Sequence, residues 1–223
     1  MNDYKKEAAK AALEFIKPGM AIGLGAGASI AYLVEFLAME TSLANTLTLA
    51  SSSAKTLALI KNAGLTFQES RDVQHLDIYF DGCDQFDAEL NALKSGAGIH
   101  TAEKIMASKA QQFILVGDTS KFVPVLTTAY PLVIEVLPIA LHLVQQKIVE
   151  YFPDAKTTIR TDENKAPIIT ANGNLLLDVY LARQMSPEKM NAIKMVPRGS
   201  GTFPVFGHGH QCYYCRAARS FGN

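Results

Sequence analysis

Apolar side chains recur at helical spacing over residues 3–16, which predicts an amphipathic helix. "PGMAIGLGAG" then reads as a turn, a short apolar strand and a glycine loop. Helical spacing resumes in "SIAYLVEFLAME", where Ser29 is a candidate N-cap. "TLTLASSS" reads as a second strand ending in three serines, and "AKTLALIKNAGL" as a helix stopped by glycine. "HLDIYFD" and "QQFILVGD" supply a third and a fourth strand. Strands alternating with helices predict a right-handed parallel sheet.

The rhythm changes after Pro131. "LVIEVLP" has the pattern of a strand and "IALHLVQQKIVEYF" that of a long helix. "TTIRT" and "NLLLDVYL" follow as strands around the turn-like "TANGN". "SPEKMNAIK" reads as a short helix with Pro187 at its start, and "TFPVFG" as a last strand. That order predicts a ferredoxin-like unit. The expected fold class is therefore α/β: a Rossmann-like parallel-sheet domain over 1–130 and a smaller ferredoxin-like α+β domain over 131–206. Residues 207–223 form an atypical tail, a candidate to complete the first domain.

Composition narrows the class without naming a function. The chain has 223 residues, enough for a substantial core, and 48% of them are hydrophobic. Its 21 basic and 21 acidic residues cancel, so no whole-chain charge argues for a nucleic-acid partner. No apolar run reaches the ~20 residues that span a bilayer. The N-terminal stretch lacks the apolar centre of a secretion signal. Three cysteines, Cys83, Cys212 and Cys215, are too few for a disulfide framework, and a cytoplasmic location is expected.

Three loops follow predicted strands, and ligands of open parallel sheets bind beyond the carboxyl ends of strands. The first is "GLGAGAS", residues 23–29, a glycine loop opening a helix and suited to an anion. Gly23, Gly25 and Ala28 also match a dinucleotide fingerprint, but the second strand ends in Ser51, Ser52 and Ser53 instead of the acidic residue a ribose requires. The bland alternative is a tight turn. The second loop, "DGCDQFD", crowds Asp81, Asp84 and Asp87 around Gly82 and Cys83. Such carboxylates can hold sugar hydroxyls, bind a divalent cation or move protons, or simply form a solvated acidic turn. In the third, "LKSGAGIHTAEKI", Lys94 precedes a flexible stretch and Thr101 is a candidate cap for a helix carrying Glu103. "VGDTSK" places Lys121 after the fourth strand.

Taken in order, "GLGAGAS", "DGCDQ", "KSGAG…EKI", "GDTSK" and "ANGNLLLDV" resemble the segments of the type A ribose-5-phosphate isomerases over residues 5–195. The resemblance implies an aldose–ketose isomerase of the pentose phosphate pathway, interconverting ribose 5-phosphate and ribulose 5-phosphate through an enediolate. It implies no cofactor and no metal, a small-molecule sugar phosphate as partner, no nucleic acid or membrane, and a homodimer or homotetramer. It casts Glu103 as the base. Lys94, with the backbone of Ser95, Gly96 and Ala97, would steady the enediolate. Asp81 and Asp84, flanking Gly82 and Cys83, would hold sugar hydroxyls and assist ring opening. Ala26, Gly27, Ala28 and Ser29, with Lys121, would hold substrate near its phosphate. Asp87 is expected to be a solvated neighbour.

The chain departs from the family at Ala26 and Ala28, where hydroxyls are expected, and at Gln85, Ser95 and Ala97. The lost hydroxyls motivate a second expectation, a non-catalytic sugar-phosphate-binding protein of the same fold. The dinucleotide match motivates a third, an oxidoreductase. Beyond Val196 the resemblance fades, and His208, His210, Cys212 and Cys215 are candidate zinc ligands against the plainer reading of a loose tail.

Overall fold

The computed structural model describes residues 3–183 and the backbone of 199–200 and 212–214. Its elements run α1 (Tyr4–Leu13), β1 (Ala21–Leu24), α2 (Ala28–Met39), α3 (Thr41–Ala44), β2 (Thr48–Ser51), α4 (Ala54–Asn62) and β3 (Leu76–Asp81). β4 (Gln85–Phe86), β5 (Ala92–Leu93), α5 (His100–Ser108), β6 (Ala110–Leu115), β7 (Leu132–Val136) and α6 (Leu141–Tyr151) follow. β8 (Lys156–Ile159), β9 (Leu175–Tyr180), β10 (Gly199–Ser200) and β11 (Cys212–Tyr214) complete the order. The helix expected over 186–194, the strand expected at "TFPVFG" and the side chains of His208, His210, Cys212 and Cys215 lie outside the described residues.

Two compact units result, Met1–Cys83 with Ala102–Phe122 and Gly207–Asn223, and Asp84–Thr101 with Val123–Phe206. This division differs from the single boundary expected near residue 130. The reason is apolar: Leu93 and Leu126 are buried in the cluster built by Ile134, Val136, Ile148 and Val179, so their segments belong to the second unit.

The first unit is a parallel sheet in the order β11-β6-β3-β1-β2. Its short strands are buried along nearly their whole length, as parallel strands covered on both faces are. Ile22, Leu24, Ile78, Phe80 and Ile114 form its core with Ile30, Leu33 and Leu37 of α2. Asp3 caps α1 by accepting from the N–H groups of Lys5 and Lys6 at 3.1 and 3.3 Å. The expected cap of α2 is corrected: Gly27 holds that position and Ser29 is buried as the second residue of the helix.

The second unit is an antiparallel sheet in the order β10-β7-β9-β8, the order of a ferredoxin-like sheet. Strand alternation sorts its two faces. Leu132, Ile134 and Val136 of β7 join Leu177 and Val179 of β9 in an apolar layer that includes Val144 and Ile148 of α6. The alternate positions hold Glu135 on β7 and Asp178 on β9, both buried. This face therefore holds two carboxylates beside the buried Val133 and Leu176.

Candidate active site

In the first unit the neighbours β1 and β3 lie where the strand order reverses, the place where open sheets leave a crevice beyond their carboxyl ends. The glycine loop leaves β1 there, and Asp81 ends β3. Loop and carboxylate are locked together. The Ala26 N–H donates to Asp81 Oδ1 at 3.1 Å, the Gly82 N–H donates to the same oxygen at 2.8 Å, and the Tyr79 hydroxyl donates to Oδ2 at 3.3 Å. A Cβ on Gly25 would stand 2.1 Å from Asp81 Oδ1, so only glycine admits this contact. Asp81 is 1% exposed. Its oxygens are turned to the protein, which resolves how a buried strand end tolerates the charge.

The three serines after β2 also do local work. Ser53 caps α4 through the Thr56 N–H at 3.2 Å, and Ser51 Oγ accepts from the Ser53 N–H at 3.0 Å. The Thr56 hydroxyl in turn donates to the Gly25 carbonyl at 2.7 Å. Ala26 spends its N–H on Asp81, whereas Gly27 and Ala28 are exposed at the start of α2. The first-turn N–H groups of a helix have no partner within it and can face an anion.

Glu103 lies in the first turn of α5 and is 6% exposed. Its charge is felt by Tyr79, whose hydroxyl is pushed well above its ordinary pKa by burial first and then by the carboxylates of Asp81 and Glu103. Tyr79 therefore stays neutral and remains a donor. The Lys121 ammonium donates to the Cys83 carbonyl. Cys83 itself is buried, a small spacer in the turn.

In the second unit Asp84 Oδ2 accepts the Ser95 N–H at 2.5 Å. Ser95 is buried and its hydroxyl donates to the Pro131 carbonyl at 2.6 Å. Both of its donors are bonded to the protein. Gly96 and Ala97 are exposed, and Lys94 is half-buried. Gly98 takes φ +70°, a conformation that favours glycine, and a Cβ there would also push against Leu176 Cδ1 at 2.4 Å. Ser95 and Ala97 are absent from the positive-φ positions, which is why those two departures from glycine cost no backbone strain.

Asp87 is also corrected. It is buried, not solvated, and accepts from the N–H groups of Glu89 and Asn91 at 3.0 and 2.9 Å, building the β4–β5 hairpin. Gln85, in the place of the family's acid, grips Thr127 through Oε1 and Nε2 at 2.9 and 2.6 Å.

Sequence reasoning missed a polar network in the second unit. Glu135 accepts from the side chains of Thr101, Thr170, Asn172 and Asn174. Burial pushes its pKa up, but those four hydrogen bonds outweigh it and the carboxyl is held below its usual range. His100 is buried beside it, with its pKa lowered to about 4 by burial, helped by the charges of Arg160 and Lys94 and opposed by Glu135. Arg160 and Asp178 were also missed. A lone arginine between two strand patterns carries no local signal, since its partners lie 18 and about 65 positions away. No cluster of three metal-ligating side chains occurs among the described residues.

Comparison with known proteins places these observations. Residues 48–198 match the family model described as ribose 5-phosphate isomerase A (phosphoriboisomerase A). The glycine loop lies outside that match. Ribose-5-phosphate isomerase A of Mannheimia succiniciproducens is 35% identical over 188 residues, covering 84% of this chain and 82% of the relative. The counterpart from Thermosynechococcus vestitus is 34% identical over 203 residues, 88% of this chain and 84% of the relative. Among solved structures, a D-ribose-5-phosphate isomerase in complex with phospho-erythronic acid superposes with a TM-score of 0.80 at 30% identity, covering 93% of each chain. Ribose 5-phosphate isomerase A of Methanocaldococcus jannaschii gives 0.79 at 30% identity, over 89% of this chain and 88% of that one.

Proposed function

The chain belongs to the ribose 5-phosphate isomerase A family, and on that premise we propose how it interconverts ribose 5-phosphate and ribulose 5-phosphate. It is an aldose–ketose isomerase, and the reaction moves one proton between adjacent carbons. In our reading Glu103 removes the proton from C2 of the open-chain aldose. The electron pair forms the C1=C2 bond and charge gathers on O1. Return of the proton to C1, with the O2 proton passing to O1, yields the ketose.

The observation that carries this reading is Glu103 itself, a carboxylate 6% exposed in the first turn of α5 and within electrostatic reach of Tyr79. A placed base contributes about 10²–10⁴-fold. Lys94 and the N–H groups of Gly96 and Ala97 stabilise the enediolate oxygen. Asp84 takes the sugar hydroxyls and assists ring opening, and Asp81 positions the glycine loop. The first turn of α2 and Lys121 hold the phosphate. Assembly as a homodimer or homotetramer, in the cytoplasm, belongs to the same proposal.

The non-catalytic alternative is set aside. Its motive was the pair of lost hydroxyls at Ala26 and Ala28, yet the backbone donors of the α2 N-terminus do not depend on those side chains. The relatives matched over most of the chain carry the isomerase name.

Glu103→Gln tests the reading. Turnover of ribose 5-phosphate is expected to fall about 10³-fold while phospho-erythronic acid still binds. Turnover at the unsubstituted rate would overturn the assignment of the base.

A further inference from the structure

Arg160 follows β8 and is tied to two places at once. Its Nε donates to both carboxylate oxygens of Asp178 at 3.1 Å, and its Nη2 to Asp178 Oδ1 at 2.6 Å. The same guanidinium donates through Nη2 to the Ser95 carbonyl at 2.8 Å and through Nη1 to the Gly96 carbonyl at 2.7 Å. The arginine and aspartate side chains are only 17% and 10% exposed, so this is a sheltered, geometrically fixed fork and not a surface pair.

The consequence follows from the planarity of the peptide. In a trans unit the carbonyl and the next N–H point in opposite directions, and no cis peptide bond is present. Fixing the Ser95 carbonyl therefore aims the Gly96 N–H, and fixing the Gly96 carbonyl aims the Ala97 N–H. Both N–H groups are turned away from Arg160. Neither has an acceptor among the described residues, and both residues are exposed. The Ser95 N–H is taken by Asp84, so among the described residues those two are the donors of the loop that the Arg160 contacts aim.

We propose that Arg160, oriented by Asp178, is a positioning residue that holds the Gly96 and Ala97 N–H groups in the direction of the developing enediolate oxygen. This rests on the reading above that the loop serves that oxygen. Arg160 makes no contact with substrate in this role. Lysine cannot replace it, because one ammonium cannot hold both carbonyls and a bidentate carboxylate in one plane.

The test measures kcat and KM for ribose 5-phosphate and thermal unfolding in Arg160→Lys, Arg160→Ala and Asp178→Asn. Donors that act only in the transition state lower kcat and spare KM. Arg160→Lys is expected to lose about 10²-fold in kcat with KM within about threefold, as for loss of an oxyanion donor. Arg160→Ala should regain part of its kcat in millimolar guanidinium, which a merely structural arginine would not do. Should the Arg160 variants not fold, Asp178→Asn, which keeps the shape of the partner, is expected to lower kcat about tenfold. Folded variants with unchanged kcat per folded molecule, or a loss confined to KM, would overturn the proposal. Glu103→Gln in parallel separates the two levels. If it retains activity, the reading of the site fails; if it is inactive while the Arg160 and Asp178 variants are not impaired, only the positioning role fails.

Discussion

The loop after β1 and the loop after β5 have similar sequences, "LGAGAS" and "KSGAGI", and opposite anchors. Asp81 holds the first by a donor, accepting the Ala26 N–H at 3.1 Å. Arg160 holds the second by its acceptors, the carbonyls of Ser95 and Gly96. The sign of the anchor decides what each loop can offer. A carboxylate consumes N–H groups, so the first loop turns its Ala26 N–H inward, and in the proposed reading anion binding passes to the helix that follows it. A guanidinium consumes carbonyls, so the second loop turns N–H groups outward and suits a developing oxyanion. Small residues permit either arrangement; the charged partner selects one.

The strongest way to break this comparison is to remove the acidic anchor. Asp81→Ala leaves the Ala26 and Gly82 N–H groups and the Tyr79 hydroxyl without their acceptor, at a cost of roughly 3–5 kcal/mol. Urea unfolding measures it, and an unchanged midpoint would mean that the carboxylate does not hold the loop. The second loop is sharpened by pH. The folded-state pKa of His100 is about 4 against 6.5 for the ordinary side chain, so the unfolded chain binds the proton first. Stability is therefore expected to fall as pH drops from about 6.5 to about 4 and to lose this dependence below that. The drop amounts to about 3 kcal/mol. Its absence in His100→Gln, measured as the difference between the two proteins at pH 7 and pH 4, is the expected outcome. An identical pH dependence in both would show that His100 is not kept neutral by burial. The smallest expected effect concerns the first loop. Ala26→Thr restores a hydroxyl beside the α2 N-terminus and should lower KM about tenfold, the scale of one hydrogen bond to a charged group. An unchanged KM would separate this loop from the phosphate.

Much of the fold could be read from the chain. The period of the apolar positions marked β1, β3, β6, β7, β9 and the long helices, because strands and helices bury residues at different spacings. The β4–β5 hairpin escaped, since strands of two residues have no period to read and Asp87 looked like one more charge in an acidic run. The division into units escaped for a related reason. Leu93 and Leu126 sit among loop residues, and nothing local says which core will receive them.

For the candidate site, local chemistry was visible and direction was not. The sequence by itself determined that small, flexible loops and carboxylates follow the strands, and it carried the order of motifs that marks the family. Only the tertiary structure decided that Asp81 turns inward, that Ser95 has no donor left, and that Arg160 reaches back to the carbonyls of Ser95 and Gly96. Residue type and spacing govern which local conformations are open to a chain. Which end of a peptide group is consumed depends on a charge brought from a distant segment, and that partner is fixed only when the strands pair.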